Sequence, residues 1–175
     1  MTSPDPLGPE WGTGPGGVRT RSAARVLVVD DAGRVLLLDG CDPAAPEERW
    51  WFTPGGGLLA GEEPRAGAAR ELAEETGVVV DPADLVGPVL LREPEFDWLG
   101  SRCRQREVFF LLHLRAPVVL DRSGWTALER ASLTGFRWWT AQELAGSGVR
   151  CYPVALPAVL TGLRDGWDGT LREVD

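Results

Sequence analysis

The stretch from Gly55 to Val78 constrains this chain more than any other part of it. Pro54 is followed by three glycines, Gly55, Gly56 and Gly57, and a second turn signal stands at Gly61. Pro64 suits the first turn of a helix, the residues from Pro64 to Thr76 are rich in Ala, Arg, Leu and Glu, and Gly77 is placed as a helix C-cap. The reading is loop, helix, turn. On a wheel of about 100° per residue, Leu72, Thr76, Ala69, Ala73 and Ala66 form an apolar stripe. Glu71, Glu74 and Glu75 lie on the opposite face, where spacings of three and four bring carboxylates side by side. Each like-charge pair costs a few tenths of a kcal/mol in an isolated helix. Such a face is therefore a solvated surface or a site that takes a cation.

Around this segment the pattern is that of short strands. Arg25 to Val29 and Arg34 to Leu38 flank the turn Asp30-Asp31-Ala32-Gly33 as a hairpin. Asp42 to Arg49, with two prolines and several charges, reads as a surface loop, and Trp50 to Thr53 as a short strand that Pro54 stops. Val78 to Val80, Val89 to Leu91 and Val108 to Leu114 are strand-like, while 93–106 and 117–134 read as loops. Phe136 to Trp139 is a further strand, Thr140 to Leu144 a short helix, and Pro153 to Leu163 a closing helix. Residues 1–18 are crowded with Pro and Gly and read as a flexible tail, leaving 19–175 as a single domain without internal repeats.

Composition excludes several functions. A net charge of -8 argues against a duplex nucleic-acid partner, but a small anion can still be reached through metal ions. All 18 basic residues are Arg, so lysine Schiff bases and Walker-type phosphate loops are ruled out. Cys41, Cys103 and Cys151 are too dispersed for a disulfide framework or a metal knuckle and read as inert buried thiols. There is no signal-peptide order and no apolar run near 18 residues, so the expectation is a cytoplasmic protein that does not engage membranes.

Gly56 is followed after five residues by Glu62, and Glu62 after seven by Arg70-Glu71-Leu72-Ala73-Glu74-Glu75-Thr76-Gly77-Val78. This resembles the Nudix box, G-x5-E-x7-R-E-U-x-E-E-x-G-U with U a bulky aliphatic, at every specified position. At a frequency of ~10% for each fixed residue, chance agreement at one start is on the order of one in ten million. Trp51 to Gly57 also resembles the strand and loop entering that family's site, and Arg137-Trp138-Trp139 with Glu143-Leu144 its late strand and helix.

The resemblance covers about residues 20–165. It implies an α/β fold, a Nudix-type α/β/α sandwich with a mixed β-sheet. It also implies divalent-metal-dependent hydrolysis of a phosphoanhydride, with Mg²⁺ or Mn²⁺ as the metal, since hard oxygen ligands suit either. By the family's pattern Glu71, Glu74 and Glu75 are the metal ligands, and one of them or a loop acid takes a proton from water. Arg70 holds a box carboxylate in place, Glu62 ties the loop to the helix or reaches the metal through water, and Gly55, Gly56 and Gly57 let the backbone turn beside the metal. Glu129 is the candidate loop acid, with Glu93, Glu95 and Glu107 as competitors. His113, alone in an apolar strand, reads as a core or sheet residue. Among the tryptophans Trp98 is the candidate for stacking on a base, and Trp50, Trp51, Trp138 and Trp139 read as core or sheet residues.

The expected partner is a small-molecule nucleotide, and a homodimer is left open. The expected substrate is a nucleoside diphosphate linked to another group, or a nucleoside triphosphate. Pro94, sixteen residues after Val78, resembles the ADP-ribose-cleaving branch. The competing reading is a catalytically silent Nudix-fold domain that senses a nucleotide or binds a protein, which the complete acidic set disfavours.

Overall fold

A computed structural model of the chain describes residues 7–164 and 166–175; residues 1–6, part of the expected tail, lie outside the described residues. The elements in chain order are β1 (Gly12–Thr13), β2 (Arg19–Asp30), β3 (Val35–Asp42), β4 (Ala45–Phe52), β5 (Gly55–Gly57), α1 (Pro64–Thr76), β6 (Val86–Arg92), β7 (Glu95–Trp98), β8 (Ser101–Leu114), α2 (Ala127–Ser132), β9 (Leu133–Trp139), α3 (Ala141–Ser147), β10 (Cys151–Tyr152), α4 (Leu156–Gly162) and β11 (Arg172–Val174). The strands form a mixed sheet whose main path runs β10-β4-β3-β2-β8-β6-β11, with β1 and β5 on β2, β7 on β8 and β9 on β3. At its centre β2 and β8 run parallel in unbroken register from Arg19 opposite Cys103 to Asp30 opposite Leu114.

The apolar runs in β2 and β8 are continuous because both sheet faces are covered. Val26 and Val28, with Phe110 and Leu112, face Ala68, Ala69 and Leu72 of α1. Leu27 and Val29, with Phe109 and Leu111, face Leu144 of α3 and Leu156, Val159 and Leu160 of α4. The arrangement is the expected α/β/α sandwich. Helix α1 begins and ends where Pro64 and Gly77 place it. The Glu63 carboxylate caps its first turn by accepting from Arg65 and Ala66, and Gly77 adopts φ 75° and donates to Ala73 O. The buried stripe of α1 runs through Ala68, Ala69, Leu72 and Thr76, leaving Ala66 and Ala73 at its partly exposed flanks.

Several expectations are corrected. Residues 7–18 are docked: Leu7 and Trp11 are buried with Cys103 against Phe96 and Trp98, and β1 pairs with β2. Two large apolar side chains, a short strand pairing and the Glu10–Arg21 ion pair anchor a segment otherwise rich in Pro and Gly. Most of Asp42–Arg49 is strand rather than loop. Pro46 is tolerated there because the ladder with β3 shifts register between Cys41 and Asp42. Residues 93–106 form the β7–β8 hairpin, in which Glu95, Asp97, Arg102 and Arg104 are exposed while Phe96, Trp98 and Cys103 turn inward. Within 117–134 lies α2, started by a Thr126–Glu129 capping box. Val78–Val80 joins no strand, and Val79 stands in solvent. The closing helix is confined to Leu156–Gly162. His113 is a sheet residue on the exposed side of β8, not a core residue. Cys41, Cys103 and Cys151 are buried free thiols.

Candidate active site

The glycine loop, the acidic face of α1 and Arg21 and Arg25 of β2 line a cleft of about 590 Å³. Gly55 sits there at φ 137°, pressed so closely on β2 that a Cβ would lie 2.3 Å from Ala24 O. Its N–H donates to Glu75 Oε2 at 2.7 Å. Gly56 faces Glu71, whose Oε2 would be 2.5 Å from a Cβ at that position. The loop therefore needs glycine for two different reasons, backbone conformation at Gly55 and carboxylate approach at Gly56.

Arg70 organises the acids. Its Nε and Nη2 donate to the two oxygens of Glu62, each at 2.8 Å, Nη2 also to Gly57 O at 3.0 Å, and Nη1 to Glu71 at 2.7 Å and Glu74 at 3.0 Å. The expected link between loop and helix is thus an Arg70–Glu62 fork, and Glu62 Oε2 further accepts from Leu59 N. Hydrogen bonding to Glu62, set against burial, raises the pKa of Arg70, and the Arg70 hydrogen bond lowers that of Glu62.

The three carboxylates assigned to the metal do not converge on one point. Glu71 and Glu75, one turn apart, are buried, whereas the side chain of Glu74 is 52% exposed, and Arg70 joins it to Glu71. Among the described residues no three acidic, thiol or imidazole side chains close around a cation position. A separation of four keeps positions 71 and 75 on one line of the helix, and position 74 is rotated away from it. Burial raises the proton affinity of Glu71, and burial together with the Glu71 charge raises that of Glu75 well above the ordinary carboxylate range. Among the described residues one hydrogen bond, from Gly55, reaches the Glu75 carboxylate. Two buried carboxylates, the charge of Glu71 raising the proton affinity of Glu75, both lining a cleft, are a donor set of hard oxygens that fits a divalent cation.

Glu129 lies on the cleft wall at the start of α2, and its charge is among those that raise Glu75. Its carboxylate accepts from Thr126 N at 2.5 Å as part of the capping box, so it belongs to a helix start rather than a free loop. Of its competitors, Glu93 is exposed. Glu95 is held on the surface by Arg102 and Arg104. Glu107 is 1% exposed and paired with Arg25 and Arg92.

Sequence reasoning missed Arg21 and Arg25 of β2. Arg21 stacks 4.4 Å from the Trp11 ring centre and donates to Gln105 and to Glu10; Arg25 donates to Glu107 and to the carbonyls of Thr53 and Gly55. Arg25 stands between Ala23-Ala24 and the apolar run Val26 to Val29, a signal visible in the sequence, whereas Arg21 lies in a polar run and carries no such mark. The cleft is also lined by Trp98 at the end of β7, edge-on to Trp50 with ring centres 6.3 Å apart, and by Phe52, Pro94 and Phe96. Trp50 therefore belongs to the cleft, while Trp139 is core and Trp51 and Trp138 pack half-buried against it. No helix is long and apolar enough to cross a membrane among the described residues.

Comparison with known proteins agrees with this geometry. The NUDIX domain profile matches residues 19–156. An RNA pyrophosphohydrolase of Halorhodospira halophila is 32% identical over 165 residues, covering 85% of this chain and 84% of that protein. A MutT-like protein of Streptomyces ambofaciens is 38% identical over 141 residues, 81% of this chain and 77% of its own length. Among solved structures the MutT protein of Methanosarcina mazei Go1 superposes with a TM-score of 0.56 at 20% identity, covering 83% of this chain and 94% of that one. A complete box, folded as loop and helix beside a cleft, and a domain profile spanning most of the chain lead to one conclusion: this protein belongs to the Nudix family of hydrolases.

Proposed function

We propose that the chain hydrolyses a phosphoanhydride bond in a small nucleotide, using Mg²⁺ or Mn²⁺ held by Glu71 and Glu75 at the cleft floor with Glu74 at its rim. The observation that carries this reading is the buried Glu71–Glu75 pair lining a cleft that several aromatic side chains also line. A bound divalent cation would neutralise phosphate charge and lower the pKa of water. The protein's own groups do the rest. Arg70 holds Glu71 and Glu74 in place through one nitrogen. Glu74, the most exposed of the three, is the acid best able to take a proton from water. Glu129, tied to Thr126, contributes negative charge rather than proton transfer. The silent-domain alternative is disfavoured because no carboxylate of the box is missing.

Trp98 and Trp50 offer ring faces for a base, an interaction on the order of 1–3 kcal/mol. We propose a nucleoside triphosphate, or a nucleoside diphosphate linked to a second group, as the substrate. The relatives named RNA pyrophosphohydrolase support a phosphoanhydride chain as the bond attacked. Pro94, which lines the cleft, keeps ADP-ribose among the candidates. A panel of ADP-ribose, sugar nucleotides, dinucleoside polyphosphates, nucleoside triphosphates and a short 5′-triphosphate RNA, with Mg²⁺ and with EDTA, decides the matter. Expected is cleavage of at least one member, read as nucleoside monophosphate formed from a linked diphosphate or dinucleoside polyphosphate, or as phosphate or pyrophosphate released from a triphosphate, and abolished by EDTA. Turnover that survives EDTA would refute the mechanism, and no turnover on any member would favour the silent domain.

A further inference from the structure

We infer that Arg25 and Glu107 are positioning residues of the hydrolytic site, acting on it through the glycine loop. Arg25 is half-buried on β2 directly opposite Gly55, and its Nη1 donates to Thr53 O and Gly55 O, both at 3.0 Å. One nitrogen thus ties together the carbonyls on either side of Pro54, at the point where the chain leaves β4 and turns into the glycine loop. Val26 N donates to Pro54 O at 2.9 Å, so β2 holds three successive loop carbonyls. With its carbonyl fixed from this side, Gly55 presents its N–H toward α1, where it donates to Glu75. Loop and helix share no other hydrogen bond to that carboxylate among the described residues.

Glu107 sets the other side of the guanidinium. Its Oε1 accepts from Arg25 Nε at 2.5 Å and from Gln105 Nε2 at 2.6 Å, while its Oε2 accepts from Arg92 Nη1 at 3.0 Å. The carboxylate accepts three hydrogen bonds and is 1% exposed, so its role is to hold donors in place rather than to act on substrate or water. Its place in the fold is to orient Arg25. Only an arginine can do this work, because a planar fork reaches an acid and two carbonyls at once, whereas a lysine ammonium is a point charge on a flexible stem. The assignment rests on the reading of Glu71 and Glu75 as cation ligands, and it extends that reading to residues outside the box.

The test uses the purified full-length chain and Mn²⁺ as the probe. Mn²⁺ affinity is followed by the EPR signal of the free ion, and steady-state turnover is measured at saturating Mn²⁺. Arg25→Lys is expected to weaken Mn²⁺ binding about tenfold or more, the scale of losing a group that orients a ligand. It should lower kcat and leave the KM for nucleotide within about twofold. Glu107→Gln should move the same quantities in the same direction by a smaller factor, and it decides the question should Arg25→Lys fail to fold. Folded variants that bind Mn²⁺ as wild type does would overturn the proposal. So would a raised KM with unchanged Mn²⁺ affinity, which would make Arg25 a direct substrate contact. If wild type itself bound no Mn²⁺, the cation reading would fail at its root, an outcome distinct from the failure of the Arg25 assignment alone.

Discussion

The sharpest perturbation available is a single methyl group at Gly56. Its φ lies outside the left-handed region, so alanine there brings no backbone strain. What the new Cβ meets is the Glu71 carboxylate, 2.5 Å from Oε2 and 2.7 Å from Cδ, where ordinary contact begins at 3.4 Å. Glu71 must retreat by about 0.9 Å, and a misplacement near 1 Å at a reacting centre costs about 10²-fold in rate. The yielding atoms belong to the end of a side chain, so the fold itself loses little, about 1 kcal/mol or less. Gly55→Ala is the control. There the clash is with Ala24 O and Arg25 Cα, both backbone, at φ 137°. Strain and overpacking together come to about 3–5 kcal/mol, a fall in Tm of roughly 10 °C for a chain of this size. The assay is initial rate on the best substrate of the panel beside a calorimetric Tm. A Gly56→Ala protein that turned over at the wild-type rate, or melted as early as Gly55→Ala, would refute the placement of Glu71.

Arg70→Lys keeps the charge but loses the fork on Glu62 and the bond to Gly57 O, and kcat/KM should fall about 10–100-fold; an initial-rate assay that found less than a twofold change would remove Arg70 from the site. Trp11→Ala should destabilise the chain by about 3 kcal/mol, because the ring is 7% exposed and stacked on Arg21, and a chemical-denaturation midpoint at the wild-type value would show that the segment does not dock. Burial opposes the ionisation of Glu107, but Arg25 and Arg92 outweigh it and hold the carboxyl below the ordinary range. A lowered folded-state pKa stabilises the fold above the unfolded value, about pH 4, and that stability is lost as pH falls through the lowered value. Urea midpoints between about pH 5 and about pH 3 should therefore fall more steeply for wild type than for Glu107→Gln, and parallel curves would contradict the assignment.

The site was legible in sequence where its geometry is local. The box fixes spacing within one loop and one helix, so the bounds of α1, its Gly77 cap and the Arg70–Glu62 link follow from residues at most eight apart. Contacts that join distant segments were not legible. Arg25 reaches Glu107 across 82 positions, and no local pattern marks a partner at that separation. Glu74 and Glu75 illustrate a second limit. Periodicity places both on the acidic face, but the fold buries one and exposes the other, since the glycine loop covers only part of that face. The N-terminal segment departs from the tail expectation because composition averages over residues, whereas docking there rests on a few of them: buried Leu7 and Trp11, the β1–β2 pairing and the Arg21–Glu10 ion pair.

The parallel pairing of β2 with β8 also governs the order in which the chain can fold. Partners in that ladder stand about eighty residues apart, and such non-local contacts form slowly. At 5–20 residues per second, about 4–17 s of synthesis separate the emergence of β2 from that of its partner. During that interval β3 and β5 can cover one edge of β2, while the other, along Arg25-Val26-Leu27-Val28-Val29, waits with its amide and carbonyl groups unpaired. The nascent chain is therefore most open to aggregation after the box helix has been made and before β8 exists. Conditions that shorten this interval relative to chain–chain encounter, such as weaker expression at lower temperature, should raise the soluble yield.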